Sequence, residues 1–343
     1  MARTIKPPLL MDQFSAHLDR GWDLISRGDA QGAEQSARRA LELDAQSPEA
    51  YNLLGFACTL HGEFEEAVEH YRQAVALDDS YLEALLNAAE VYLHPLGDFE
   101  EAVALCDQAL EYAENDEETL DALLLKFDAL LGMNELDEAR ALCAQLPSGP
   151  FENPLHQFLI GRALQEIGEP KRAAELLEEA VRAQPQNPEA FHYLGMAREE
   201  LGDPRQATEA FLKVRALDLE LPAPPWAYTQ ETFRRQVVAL VEGLPDRLRA
   251  YVHPKELYIG DVPGVELIVD GVDPRAALCL TPLGPERTDT RLFVYQRNVE
   301  RLAGSLDQVE SVLLEAITHE VEELYLSPDS PLFSKDPKFP RGH

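Results

Sequence analysis

"PEAYNLLGFACTLHGEFEEAVEHYRQAVALDD", residues 48–79, is the stretch that decides the fold. Within it Gly55, Gly62, Ala67 and Ala74 follow one another at intervals of 7, 5 and 7 residues. Small residues at these positions let two helices approach closely, and the large residues between them fill the remaining space. The stretch therefore predicts a helical hairpin.

The same spacing recurs along the first two thirds of the chain. Its further members are Gly161, Gly168, Ala173 and Ala180, followed by Gly195, Gly202 and Ala207. Equivalent glycines lie 34 residues apart, as in the pairs Gly28–Gly62 and Gly168–Gly202. We count six units, which begin near residues 14, 48, 82, 118, 154 and 188, and the third has an extra residue near "YLHPLGD". A fixed period of this length predicts an array of stacked repeats.

These motifs resemble the tetratricopeptide repeat. Tyr51-x-x-Leu54-Gly55 and Ala67-x-x-x-Tyr71 stand where that family has its W-x-x-L-G and A-x-x-x-F patterns. The resemblance implies a mainly α chain, with a right-handed solenoid over residues 14–221, after an N-terminal tail of residues 1–13. It also implies that the concave surface binds a protein or peptide. An array that serves only as a spacer or a dimerisation arm is the alternative.

The composition limits the possible partners and the compartment. The 62 acidic and 30 basic residues give a formal net charge of −32, so we expect neither nucleic acid nor a membrane as a partner. Basic peptides or basic protein surfaces fit this charge, although an acidic surface that only keeps the protein in solution is the commoner explanation. The four cysteines form no C-x-x-C pair, which argues against a disulfide framework or a thiolate zinc site. Without an evident signal peptide, we expect a cytoplasmic protein.

The repeat pattern ends at a proline-rich segment, residues 222–228, which predicts a linker. Residues 229–330 then read as a small α+β domain, and residues 331–343 as a tail. Three short segments are typical of strands, and a long helix is expected from Ser305 to about Leu326. The strand-like segments are "KELYIGDV" (255–262), "VELIVDG" (265–271) and "TRLFVYQRN" (290–298).

This region resembles the minimal zincin-like metallopeptidase domain of many bacteria, over roughly residues 233–329. The resemblance rests on "FRRQVVALVEGLP" (233–245), "LFVYQRNVER" (292–301) and "VLLEAITHEV" (312–321). The family pattern is H-E-x-x-H, with an aspartate ten residues after the first histidine. By that pattern His319 and Asp329 would be metal ligands and Glu320 the general base, while Glu323 replaces the second histidine.

A ligand set of His319, Glu323 and Asp329 would hold zinc, or a harder ion such as manganese. From the helical periodicity we expect His319, Glu320 and Glu323 to turn toward the apolar side of the helix and share one pocket. The alternative is that the helix end protrudes and these side chains are solvated.

Two functional hypotheses follow. In the first, the chain is a protein-interaction scaffold whose zincin-like domain is divergent and inactive or altered. In the second, it is a cytosolic metal-dependent peptidase whose repeats recruit the protein to be cut, with Glu320 activating a metal-bound water.

Overall fold

A computed structural model describes residues 8–147, 149, 151, 153–252, 254–283 and 289–326. These residues form two compact units, one that ends at Leu176 and one that begins at Leu177. We call them unit 1 and unit 2 and describe each by itself. The chain is mainly helical and carries a small α+β region near its C-terminus, as the sequence predicts.

Unit 1 consists of helical hairpins, and each of its first seven helices packs against the helix that follows it along the chain. The first helix of each hairpin also contacts the first helix of the following one, in the pairs α1–α3, α3–α5, α5–α7 and α7–α9. The helices are α1 Pro8–Ser26, α2 Ala30–Leu43, α3 Pro48–His61, α4 Phe64–Leu77, α5 Leu82–Val91, α6 Phe99–Tyr112, α7 Asp116–Gly132, α8 Leu136–Cys143, α9 Leu155–Glu166 and α10 Pro170–Ala183, which crosses into unit 2.

The recurring glycines have two separate roles in these hairpins. Gly62 ends α3 with a φ of +79°, a left-handed conformation that costs a glycine little, and Gly28, Gly168 and Gly202 adopt the same conformation. Gly55 instead allows close packing, since a Cβ atom built there would lie 2.6 Å from the Tyr71 ring. The 34-residue interval is therefore the interval between equivalent turns.

The extra residue of the third repeat is accommodated within a helix. After α5 the chain continues as a π-helical turn, Tyr92–Leu96, which contains Pro95. A π turn adds one residue to a helical turn without breaking the helix. Gly97 then reverses the chain with a φ of +66°, so the hairpin geometry is kept.

Unit 2 combines the last hairpin with the C-terminal region. Its elements are α11 Pro188–Glu200, α12 Pro204–Glu220, α13 Gln230–Gly243, α14 Asp246–Arg249, β1 Leu257–Gly260, α15 Val265–Val269, β2 Leu278–Leu283, β3 Asp289–Tyr295, α16 Gln296–Ala303 and α17 Val309–Val321. The sheet has the order β1-β3-β2, with β1 parallel and β2 antiparallel to β3. Helices α13 and α17 contribute Phe233, Val237, Leu313 and Ile317 to the core around this sheet.

One predicted strand is wrong. The segment "VELIVDG" forms the short helix α15, Val265–Val269, and not a strand. A strand would bury alternate residues. The helix buries Ile268 beside Phe211 of α12 and leaves Val265 and Val269 exposed. A short run of apolar residues fits either element, and here the contact with α12 decides.

A buried carboxylate joins the last hairpin to the C-terminal region within unit 2. The Asp218 side chain of α12 is 1% exposed and lies 3.2 Å from Arg275 Nε and 2.9 Å from Arg301 Nη2. Arg297 donates to the backbone carbonyls of Asp218 and Leu221. The contacts of α12 thus extend across the predicted linker, residues 222–228. The boundary between the two compact units, at Leu177, therefore lies about 45 residues before the boundary predicted from the prolines.

Alanine at Gly195 and at Gly243 should have opposite effects on stability. A Cβ atom at Gly195 would lie 2.3 Å from the Phe211 ring, whereas one at Gly243 meets no atom within 4 Å. We expect Gly195→Ala to lower the free energy of unfolding by about 1–3 kcal/mol through overpacking. Gly243→Ala should leave it unchanged or raise it by up to about 1 kcal/mol. Urea unfolding of the two variants measures both, and equal effects would contradict the close packing.

Candidate functional site

The residues predicted to bind a metal lie at the end of helix α17. His319 is in its last turn, and Glu323 is in the π-helical turn that follows, Glu322–Leu326. His319 Nε2 and Glu323 Oε1 are 3.9 Å apart, and their side chains are 68% and 66% exposed. Asp329 lies outside the described residues. The structure thus brings two of the three predicted ligands together, at the surface.

Glu320, the predicted general base, lies apart from that pair. Its half-buried carboxylate accepts a hydrogen bond from the backbone N–H of Leu280 on the edge strand β2. Burial raises its pKa above the ordinary value of 4.5, and the charge of Glu323 adds to this, while His319 and the Leu280 bond act in the opposite direction. The charge of Glu320 also contributes to the raised pKa of Cys279, about 11, after burial itself.

The expectation that all three side chains turn inward is wrong. Ile317 is fully buried, and His319 follows it by two residues, about 200° around a helix. Glu320 follows Ile317 by three residues, about 300°, and so returns toward the core. Beyond Val321 the π turn changes the angle per residue, and Glu323 faces solvent.

A catalytic zinc site needs about three protein ligands around one point. Within the described part of the chain, His319, Glu320 and Glu323 do not bring three ligand atoms within 4.8 Å of one another. The structure describes two of the predicted ligands, His319 and Glu323, and a complete metal site would need Asp329 as the third. Zinc or manganese binding here stays a prediction, and we derive no hydrolytic step from it.

Neutralising Glu320 should stabilise the protein at neutral pH. Because its pKa is raised in the folded state, its favourable contribution is complete below pH 4.5 and is lost as the pH rises through the folded-state pKa. Glu320→Gln keeps an oxygen that accepts from Leu280, so we expect higher stability than the wild type at pH 7 and no difference at pH 4. Urea unfolding at both pH values measures this, with the exposed Glu322→Gln as the control. An equal rise in the stability of Glu322→Gln at pH 7 would show that burial of Glu320 is not the cause.

Unit 1 carries a groove on the side formed by its first helices. Two cavities of about 540 and 440 Å³ lie next to each other, because Phe56 of α3 and Asn87 of α5 line both. We call them together the α1–α3–α5 groove. Phe64 and Tyr71 of α4 line the larger cavity as well. The lining on the other helices and the π turn includes Trp22, Asn52, Phe56, Leu60, Glu83, Leu86, Asn87, Glu90 and His94.

The apolar part of the groove is aromatic. The rings of Trp22 and Phe56 meet edge to face, with centroids 5.7 Å apart and an angle of 73° between their planes. Leu60 at the other cavity is 44% exposed although it is a large apolar side chain. Such a surface on a helical array provides apolar area that a ligand could cover.

A chain of hydrogen bonds fixes the polar part of the groove. Asn87 Nδ2 donates to Asn52 Oδ1 at 2.9 Å, and Asn52 Nδ2 donates to the Tyr81 hydroxyl at 3.3 Å. The Tyr81 hydroxyl in turn donates to Glu83 Oε2 at 3.2 Å. Asn52 is fully buried, so the two amides are held in one orientation.

The groove is acidic. Glu83 and Glu90 lie on its wall and are exposed. Among the described residues that line it, none is lysine or arginine, and Glu90 has no counter-ion there. Two carboxylates beside an aromatic wall provide a negative field for a cationic group.

The repeat motifs include one residue that lines this groove, Tyr71, at a position where the sequence predicts only close packing of two helices. The repeat spacing could have indicated that Asn52 and Asn87 lie on neighbouring repeats at similar positions, because they are 35 residues apart, close to one repeat. The contact between Trp22 and Phe56 depends on how α1 packs against α3. No sequence pattern shared by neighbouring repeats predicts that packing. No helix among the described residues is both long and apolar enough to span a membrane.

Comparisons with known proteins agree on the repeats. Models of the tetratricopeptide repeat match residues 18–81, 158–219 and 59–119. PilF of Pseudomonas aeruginosa, as a solved structure, is 19% identical with a TM-score of 0.53, over 62% of this chain and 95% of that one. PilW, a type IV pilus biogenesis factor, is 16% identical with a TM-score of 0.52, over 63% and 96%. At these identities the likeness shows the fold alone.

A curated relative matches over a short region. The Hsp70-Hsp90 organizing protein 3 of Arabidopsis thaliana is 47% identical over 49 residues, which is 14% of this chain. The chain spans 9% of the length of that relative. A match over so small a share of both proteins carries nothing about the activity or partners of this chain.

Proposed function

Because residues 18–119 and 158–219 carry tetratricopeptide repeats, we propose that the chain is a protein-interaction scaffold. Its α1–α3–α5 groove binds an extended peptide segment of a partner protein that carries basic and apolar residues. The observation that supports this most is the groove itself, in which an aromatic wall adjoins two exposed carboxylates. A partner with both kinds of side chain would cover the apolar surface and neutralise the charge.

The size of the groove indicates the length of the bound segment. Neighbouring helices lie about 8–10 Å apart, so a path from α1 across α3 to α5 is about 16–20 Å long. An extended chain covers about 3.3 Å per residue, so about six residues fill this path. Alternate residues of such a segment face the same side, which suits apolar side chains toward Phe56 and basic ones toward Glu83 and Glu90.

The test uses two fluorescent ten-residue peptides, one alternating leucine and arginine and one alternating leucine and glutamate. We expect fluorescence anisotropy to show saturable binding of the arginine peptide, at least tenfold tighter than that of the glutamate peptide. The difference should shrink as salt screens the charges. Absence of saturable binding by either peptide would refute the proposal, and equal binding would refute its basic component.

We further propose that the C-terminal region is a divergent zincin-like domain that is inactive or altered. Its support is the exchange of the second histidine of the family pattern for Glu323, together with the exposure of His319 and Glu323. The family-model matches end at residue 219, before this region begins. Metal binding and peptide hydrolysis are accordingly left out of the proposed activity.

A further inference from the structure

A second cluster of ligand-type side chains lies where α3 turns into α4. The Sγ atom of Cys58 and one carboxylate oxygen each of Glu63 and Glu66 lie within 4.8 Å of one another. Cys58 is 3% exposed, whereas both glutamates are exposed. Among the described residues, no hydrogen bond or ion pair is recorded for these three side chains. A buried sulfur that lies beside two unpaired carboxylates is an arrangement that a cation would stabilise.

The repeat pattern shows that one of these carboxylates is out of its usual role. The residue before the second helix of a hairpin caps that helix at Asp29, Asp98 and Asp203, whose side chains accept from backbone N–H groups. Glu63 occupies the same position before α4 and, like Glu135 before α8, makes no capping bond in the described structure. Its longer side chain lies beside the Cys58 sulfur instead, so the position has lost a stabilising cap.

The electrostatic surroundings are negative at this point. Burial raises the pKa of the Cys58 thiol to about 11, the charges of Glu63, Glu66 and Glu34 add to this, and the charge of Arg38 acts in the opposite direction. Glu34 is already paired with Arg38, through a bond of 2.6 Å. The other two carboxylates are free to act as ligands to a divalent ion, whose charge would also favour the thiolate.

We propose that Cys58, Glu63 and Glu66 form a zinc site at the turn between α3 and α4. One sulfur and two carboxylate oxygens suit zinc, which accepts both kinds of ligand, better than magnesium or calcium, which prefer oxygen alone. Three protein ligands leave a fourth position of a tetrahedral site for water. None of the three ligands lines either cavity of the peptide groove. Cys58 belongs to α3, Glu63 to the turn and Glu66 to α4, so the site does not use a C-x-x-C pair.

The test is a titration of the chelator-treated full-length chain with Co²⁺, which reports thiolate ligation through a charge-transfer absorption band. We expect one equivalent to bind with that band, and one equivalent of Zn²⁺ to displace it. Cys58→Ser should abolish the band and weaken Zn²⁺ binding at least tenfold. The matched control is Cys106→Ser, which changes another fully buried cysteine of unit 1. It should retain both the band and the affinity.

Glu63→Gln and Glu66→Gln extend the test to exposed positions, where the fold is least at risk. We expect each to weaken Zn²⁺ binding several-fold while the circular dichroism spectrum stays that of the wild type. Absence of a charge-transfer band would overturn the zinc site, and so would a band that survives in Cys58→Ser. Unchanged affinity in both glutamine variants would overturn the assigned ligand set.

Discussion

Replacing Asp218 by asparagine should lower the stability of unit 2 by about 3 kcal/mol, the low end of the range for breaking a buried ion pair. The Asp218 carboxylate is 1% exposed and contacts the guanidinium groups of Arg275 and Arg301. Asparagine has nearly the same size but no charge, so the two cations lose their shared counter-ion. Arg275 keeps a bond to Glu189, and Arg301 is one third exposed, which limits the cost.

Hydrogen exchange is the suitable measurement, because it reports the opening of α12 and α16 separately from unit 1. Glu209→Gln on the same helix is the matched control, since its ion pair with Arg205 is largely exposed. We expect that control to change stability by less than about 0.5 kcal/mol. If Asp218→Asn left the protection of both helices at the level of the control, the buried carboxylate would not join the last hairpin to the C-terminal region.

The second large effect is expected from Phe56→Ala. Phe56 lines both cavities of the α1–α3–α5 groove and packs edge to face on Trp22. A central aromatic side chain of an interface contributes about 2 kcal/mol, so the arginine peptide should bind about thirtyfold more weakly. Anisotropy measures this directly. Leu136→Ala, which removes a 42% exposed apolar side chain elsewhere in unit 1, should have no effect.

An equal loss of affinity in Phe56→Ala and Leu136→Ala would place binding outside the groove. Circular dichroism and urea unfolding of both variants separate a local loss of contact from a loss of fold. Because Phe56 is only partly buried, the variant should remain folded.

The repeats could be predicted from the sequence because their signals are local. Gly62 and its equivalents mark left-handed turns, and Gly55 marks the place where Tyr71 approaches α3. Both requirements act within one hairpin, so a single sequence contains them. The extra residue before Gly97 was also visible, although its form as a π turn was not.

The remaining features depend on contacts between distant segments. Residues 265–269 form a helix in which Ile268 packs on α12, and the apolar pattern of the segment does not contain that contact. His319 is exposed because it lies about half a turn from the buried Ile317. The helical angle of 100° per residue predicts this position from the sequence. The hydrogen bond from Leu280 to Glu320 joins residues 40 positions apart and could not be read from the chain.

The cluster of Cys58, Glu63 and Glu66 could also not be predicted from the sequence. The residues are within one repeat, yet the sequence shows a lone cysteine and the acidic start of an ordinary helix. Their convergence became visible only through the burial of the thiol and the missing cap at Glu63.

If the groove selects its peptide by charge, exchanging the charges of its wall should reverse the preference. Glu83→Lys combined with Glu90→Lys reverses the two carboxylates of the groove wall. The matched control, Glu100→Lys with Glu111→Lys, makes the same change in net charge at exposed positions that line neither cavity. Anisotropy with the arginine and glutamate peptides should show the groove variant preferring the glutamate peptide, while the control keeps the wild-type preference. A groove variant that prefers the arginine peptide as strongly as the control does would refute selection of the peptide by Glu83 and Glu90.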